Sequence, residues 1–395
     1  MKKSVKNTEK NRKVVFVGIS GGVDSAVSCA LLQKQGYNVV GVFIRTWHPE
    51  YFPCNEEEER RDAMRVAAYL DIPFLTFDFE DVYKKEVADY MILEYKLGRT
   101  PNPDVMCNKE VKFGAFMKKA LSMGADFVAT GHYAIKKDGL EFFLEKGLDP
   151  SKDQSYFLWT LKQEQLSNIL FPIGNLKKIE VRKIAKELNL PVAEKKDSQG
   201  ICFLGAIDLK DFLKVYIKEK KGEVILIPSE NEGHKEKKVI GWHDGVVFYT
   251  LGERHGFTIT KKNPDDGPYY VVAKDIKKNI LIVSQDKKIL EKSTDIFLLK
   301  NSSCSRQSRS QVSFQEPFCL SLVDSNWIYQ IPESDKIYTA QIRYHGEFLK
   351  CKINAEDSEG NRRVKVIFEM PILVASGQSC VIYDKDVCLG GGIVI

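Results

Sequence analysis

No apolar run in this 395-residue chain approaches the roughly 20 residues needed to cross a bilayer, which argues against a membrane-spanning helix. None of its nine cysteines forms a CxxC pair, so a conventional structural zinc site is not expected. The start, MKKSVKNTEKNRK, is basic, but the apolar stretch after it is only Val14 to Val17 and no cleavage-type sequence follows. Residues 1–12 therefore read as a disordered basic tail rather than an export leader, and the cysteines as reduced cytoplasmic thiols rather than a disulfide framework. There is no internal repeat and no G-x-x-x-x-G-K-[ST] phosphate loop. A net charge of +5 permits a nucleic-acid partner without demanding one.

What is present has the composition of a globular protein, 43% hydrophobic and 29% charged, in a chain too long for one ordinary core. The first 135 residues alternate β-branched runs with helical periodicity. VVFVGIS (14–20), NVVGVFIR (38–45), FLTFDF (74–79) and DFVATGH (126–132) read as strands, with amphipathic stretches between them. Strands separated by crossover helices imply a parallel sheet covered on both faces, an α/β domain. From Lys162 to about Ile217 the pattern is helical, with Val181, Ile184, Ala185 and Leu188 on one face. Beyond Gly222, EVILI, GVVFYTLG, YYVVAKD, NILIVS, YTAQIRY and RVKVIFEM read as strands between turns. The expected division is a catalytic domain with a helical extension over 13–210, a small central β domain over 211–284 and a C-terminal β-barrel over 285–395.

SGGVDS (20–25) falls where the first strand turns into the first helix. Two glycines let backbone approach an anion, and the helix N-terminus favours negative charge there. Ser20 and Ser25 can donate, and Asp24 is placed to hold Mg²⁺. The loop resembles the PP-loop of the ATP pyrophosphatases (an adenine nucleotide α-hydrolase-like fold), whose members split ATP into AMP and pyrophosphate. TGHY (130–133) resembles their second nucleotide-proximal loop, at the carboxyl end of a later parallel strand.

Two cysteines stand out. In GRTPNPDVMCNKEVKFG (98–114), Pro101 and Pro103 stiffen a loop, and Asn108 is a candidate helix cap. Cys107 would then sit just before a helix N-terminus beside Lys109 and Lys112, an environment that favours thiolate. Asp104 is a candidate acid/base. In KKDSQGICFLG (195–205), Cys202 follows a glycine turn, although the local pattern equally fits a buried strand.

SGGVDS, GRTPNPDVMCNKEVKF, ATGHY (129–133), LDPSKDQSYFL (148–158), KKDSQGICF (195–203) and CLGGGI (388–393) together resemble the bacterial tRNA-specific 2-thiouridylases along nearly the whole chain. The resemblance implies that ATP with Mg²⁺ adenylates a tRNA uridine at O2 and that Cys202 carries sulfur as a persulfide from a donor protein. Cys107 then resolves the bond through a transient Cys107–Cys202 disulfide, with Asp104 as acid/base. It further implies nucleotide contacts at Gly18, Ile19, Ser20, Gly21, Gly22, Val23, Asp24, Ser25, Ile44 and Gly131. Contacts to tRNA are implied at Asn102, Pro103, Asp104, His132, Lys152, Asp153, Gln154, Arg343, Tyr344 and Gln378, in a monomeric cytoplasmic enzyme. TLGERHGF (250–257) departs from the family, with Glu253 and His255 where glutamine and lysine are usual. Other PP-loop synthetases, an iron–sulfur thiolase and a non-catalytic RNA-binding module are the competing readings. Two cysteines in these settings, no CxxC pairs, and an intact Asp24 argue against them in turn.

Overall fold

The computed structural model describes residues 12–51, 55–197, 208–227, 238–261, 267–285, 318–358, 361–370 and 372–395. The first sheet is parallel, in the order β3-β2-β1-β4-β7: β1 (Val14–Gly18), β2 (Asn38–Arg45), β3 (Phe74–Asp78), β4 (Phe127–Ala129) and β7 (Ile169–Leu170). Val15, Phe16 and Val17 are all buried, as befits a strand covered on both faces. Helices α1 (Val23–Lys34) and α2 (Glu56–Tyr69) provide crossovers. The chain steps outward from β1 to β2 and β3, then returns to β1's other side with β4. The ends of β1 and β4 thus flank the point where the strand order reverses, which opens a crevice there.

The small central sheet has the order β10-β9-β8-β12-β11, formed by β8 (Gly222–Leu226), β9 (Lys238–His243), β10 (Thr258–Ile259), β11 (Tyr270–Asp275) and β12 (Ile280–Ser284). GVVFYTLG is not a strand as expected. Gly245 turns the chain with φ +156°, a 3-10 turn over Val246–Phe248 follows, and the Val246 N–H donates to Asn279 Oδ1 at 3.1 Å. Buried Val246 and Phe248 produced the apolar pattern without a ladder.

Six C-terminal strands close on themselves, β13 (Phe318–Trp327), β16 (Asn361–Phe368), β15 (Leu349–Ser358), β14 (Tyr338–Gln341), β17 (Ser379–Asp384) and β18 (Val387–Val394), with β13 pairing β18. The glycines of CLGGGI belong to that closure. A Cβ on Gly390 would lie 2.0 Å from the Asn326 carbonyl oxygen, and one on Gly391 2.4 Å from that of Cys380. An α/β domain, a central β domain and a terminal barrel are thus the architecture that the sequence pattern implies.

A hairpin of the first domain, β5 (Ala134–Lys137) and β6 (Phe143–Lys146), adds itself to β18 through the Val387–Glu145 and Cys388–Leu144 pairs. The central domain and the barrel both grip the loop before Cys107. Lys274 Nζ donates to the carbonyls of Gly98 (2.9 Å) and Tyr249 (2.7 Å). Thr100 N–H donates to Ser376 O at 2.7 Å, and its Oγ1 stands 3.2 Å from Thr250 Oγ1.

Candidate active site

The glycine loop is held open by backbone that other residues cannot adopt cheaply. Gly21 has φ +73°, and a Cβ there would lie 2.4 Å from the Glu59 carbonyl oxygen on α2. Gly22 is the N-cap of α1 and brings no side chain to its first-turn N–H groups, leaving them for an anion. Ser25 Oγ donates to Gly22 O at 3.1 Å and accepts from Ser20 N–H at 3.3 Å, which ties the loop to the helix. Ile19 and Val23 point into the core, so only their backbone can serve a nucleotide. Ile44 on β2 flanks Gly18, its Cδ1 3.7 Å from where a Gly18 Cβ would stand.

The end of β4 packs directly on this loop. A Cβ on Gly131 would meet Asp24 C and Ser25 N at 2.9 Å each. Next to it, Tyr133 hydroxyl donates to Asp24 Oδ1 at 2.8 Å. Burial, and after it the Asp24 carboxylate, push that hydroxyl far above its usual range, so it remains a donor. Asp24 also receives Lys178 Nζ on both oxygens, at 2.7 and 2.8 Å. The same ammonium stands 2.9 Å from Asp197 Oδ1, and Asp197 is further paired with Lys152 (2.9 Å) and Arg182. Burial works against the Asp197 carboxylate, yet Lys178 and Lys152 more than offset it and hold it well below the usual range.

Lys178 and Asp197 join the site although the local sequence pattern does not mark them, and one signal for Lys178 is present. Lys178 begins the helix Lys178–Glu187, where a cation opposes the helix dipole and needs a carboxylate partner. Among the described residues no three His, Cys, Asp or Glu side chains cluster to hold a metal. One carboxylate beside an anion cradle does suit Mg²⁺, which takes one or two carboxylates and completes its shell from phosphates and water. Asp24 fits that donor set.

Cys107 is not where the sequence suggested. The helix starts four residues earlier: Asn102 caps it, its Oδ1 accepting from Val105 N–H at 3.3 Å, and Pro103 fills the first position. Cys107 lies in the next turn, where the wider π winding of Cys107–Phe116 begins, and is 4% exposed. Asn108 is not the cap but a buried group donating to Phe157 O at 3.3 Å. Amphipathic winding turns Cys107 inward with Val105 and Val111. Cys202 lies outside the described residues.

Asp104 and His132 both lie within reach of Lys112, on the helix that carries Cys107. Burial raises the Asp104 carboxyl above its usual range, and Lys112 opposes the shift. The same Lys112 acts on His132, whose pKa is driven well below normal, first by burial. His132 Nδ1 is 2.7 Å from Thr130 Oγ1, and its ring packs 5.8 Å from Phe113 and 6.2 Å from Phe171. Residues 130–133 therefore bridge the glycine loop, through Gly131 and Tyr133, to the helix of Cys107, through His132. From the barrel, Tyr344 reaches the same helix: its ring packs at a tilt, 4.4 Å from Phe157, and feels the Asp153 and Asp104 charges. Burial, the larger cause, lifts its hydroxyl to about 12.

Other expected RNA contacts are engaged within the protein. Asp153 accepts from Gly147 N–H (2.9 Å) and Ser155 N–H (3.0 Å), and Gln154 Oε1 accepts from Tyr133 N–H (3.0 Å). Gln378 Nε2 donates to Thr100 O at 2.9 Å. Arg343 is exposed. Glu253 turns inward, accepting from Thr250 N–H at 2.9 Å, while His255 is exposed. Among the described residues no helix is long and apolar enough to cross a membrane.

Residues 13–206 match the model of a tRNA methyl transferase HUP domain, 210–285 a tRNA methyl transferase PRC-barrel domain, and 318–394 an Aminomethyltransferase beta-barrel domain. The HUP match, with the glycine loop at its nucleotide end, implies ATP binding. The tRNA-specific 2-thiouridylase MnmA of Listeria innocua is 40% identical over 384 residues, covering 96% of this chain and 94% of its own. That of Francisella philomiragia is 41% identical over 396 residues, covering 98% and 100%. That of Geobacillus thermodenitrificans is 41% identical over 386 residues, covering 96% and 94%. With its three domains and its glycine loop matched end to end by such enzymes, the chain belongs to the MnmA family of tRNA-specific 2-thiouridylases, which form 2-thiouridine in tRNA.

Proposed function

We propose that this enzyme uses ATP and Mg²⁺ to activate the wobble uridine of its tRNA and replaces O2 with sulfur through Cys202 and Cys107. The observation that carries the reading is the bridge formed by residues 130–133, which packs Gly131 on Asp24 and Ser25 while His132 packs on Phe113 of the Cys107 helix. A phosphate held on the glycine loop and a base held at Asp104 would thereby be kept in one crevice, as in-line attack requires.

The backbone of residues 18–25 binds the triphosphate, and Asp24 would hold Mg²⁺, which offsets phosphate charge and helps pyrophosphate leave. Uridine O2 attacks the α-phosphorus as pyrophosphate departs. Asp104, its affinity for a proton raised by burial, takes the proton lost from the base. Neutral His132 orients the base rather than adding charge. The terminal sulfur of the Cys202 persulfide then bonds to C2 and AMP leaves. Cys107 thiolate attacks the Cys202 sulfur, which breaks the sulfur–sulfur bond, releases the C2=S product and leaves a Cys107–Cys202 disulfide. An external dithiol reduces that disulfide, and a sulfur-donor protein (a cysteine desulfurase or a sulfur-relay protein) reloads Cys202. Burial of Cys107 in the described arrangement means its turn must shift before it attacks. Asn102, Pro103, Arg343 and Tyr344 receive the anticodon loop, with Tyr344 offering a ring for stacking. Lys152, Asp153, Gln154 and Gln378 contribute to tRNA contact only where their internal bonds yield. The enzyme acts as a cytoplasmic monomer.

Mass spectrometry of nucleosides from tRNA incubated with ATP, Mg²⁺ and a sulfur donor tests this. Wild type is expected to yield 2-thiouridine, and Cys107→Ser and Cys202→Ser none. Thiolation by both variants would refute the relay and leave only the ATP half of the proposal.

A further inference from the structure

We infer that Lys178 is a phosphate ligand of the nucleotide site, parked on Asp24 until nucleotide and Mg²⁺ arrive together. The inference rests on the reading of the glycine loop as the ATP site and goes beyond it by naming a residue outside the loop and an exchange of partners.

Position is the first argument. Asp24 lies in the first turn of α1, among the N–H groups that would cradle a phosphate. Lys178 Nζ touches both of its oxygens and is 14% exposed, so the cation stands at the wall of the cradle. Its backbone is pinned, because Lys178 N–H donates to Asp149 Oδ2 at 2.9 Å. Only the ammonium end has to move to reach a phosphate oxygen bound beside Asp24.

Charge is the second. Two carboxylates, Asp24 and Asp197, face three cations, Lys152, Lys178 and Arg182. If Mg²⁺ takes Asp24, Asp197 is still satisfied by Lys152 and Arg182. Lys178 then loses two of its three carboxylate contacts in a largely buried place, where an unpaired cation is costly. The incoming phosphate is the anion within reach.

Competition is the third. Both Asp24 oxygens are occupied by Lys178, and Oδ1 also accepts from Tyr133. Metal alone must displace a cation, and nucleotide alone must draw Lys178 from Asp24. Each ligand removes the obstacle to the other, so their affinities are linked.

The test uses the full-length protein and an α,β-methylene ATP analogue, with binding followed by calorimetry. Mn²⁺ binding to nucleotide-free protein is followed by electron paramagnetic resonance. Lys178→Gln is expected to weaken Mg²⁺–analogue binding about tenfold, the scale of one charge-assisted hydrogen bond. The same substitution is expected to tighten Mn²⁺ binding without nucleotide, because Asp24 is released. Lys178→Arg, which keeps the charge, should restore both towards wild type. A purely structural role would weaken both ligands together, and that result overturns the inference, as does unchanged analogue affinity in Lys178→Gln. If wild type itself fails to bind the analogue, the nucleotide reading of the loop falls, and this inference with it.

Discussion

Replacing Gly131 by alanine isolates the contact on which the site depends. The added Cβ would sit 2.9 Å from Asp24 C and Ser25 N, and 3.1 Å from Asp24 Cβ. The first two are backbone atoms in the opening turn of α1 and cannot rotate away as a flexible side chain could. Relief to an ordinary 3.4 Å contact requires the end of β4 and the glycine loop to part by about 0.5 Å. Overpacking of this kind costs about 2 kcal/mol, or an apparent Tm lower by roughly 4–8 °C for a domain of this size. Displacement falls on the N–H groups that receive phosphate, where about 1 Å of misplacement costs on the order of 100-fold in rate. Half that shift is expected to lower ATP-dependent thiolation roughly tenfold. The assays are thermal unfolding and 2-thiouridine formation at saturating tRNA. Gly18→Ala is the steric control, since its Cβ would meet nothing closer than 3.7 Å, and its Tm should match wild type. If Gly131→Ala keeps wild-type Tm and activity, the two loops do not act as one rigid unit and the reasoning fails.

Two further outcomes are expected. Lys274 is buried, and burial lowers its pKa to about 8 despite the opposing Glu253 charge. The unfolded chain therefore binds one more proton than the folded chain between about pH 8 and 10.4, and stability from this group rises with pH across that window. Lys274→Met should remove up to about 3 kcal/mol of that rise, read as the difference in denaturant midpoint between the two proteins at pH 7.5 and 10. Gln378→Leu leaves the Thr100 carbonyl without its 2.9 Å donor, for a loss of about 1–2 kcal/mol in urea unfolding; an unchanged midpoint would show that the barrel docks without it.

Much of the site could be read locally. A β-branched strand followed by SGGVDS specifies a strand-to-helix anion loop, because backbone approach and dipole direction are properties of a few consecutive residues. The parallel sheet followed from strand and helix periods, with NVVGVFIR falling on β2 at both ends. A residue's immediate neighbours mislead where the helix start is set several residues away. The local pattern puts a helix cap at Asn108 with Cys107 just before it, but Asn102 with Pro103 starts the helix and its winding turns both inward. GVVFYTLG looked like a strand because apolar side chains seek the core whether or not a ladder forms.

By itself, then, the sequence determined the chemistry carried by short segments: the glycine cradle, the order of domains and the identity of the candidate thiols and carboxylates. Tertiary structure alone decided which of these meet. It set Lys178 on Asp24 across 154 positions, Gln378 on Thr100 across 278, and a hairpin of the first domain on the last strand of the barrel. The reason is physical: backbone propensity acts over a turn or two, whereas ion pairs, close backbone contacts and sheet edges are satisfied by whatever the folded chain brings within a few ångströms.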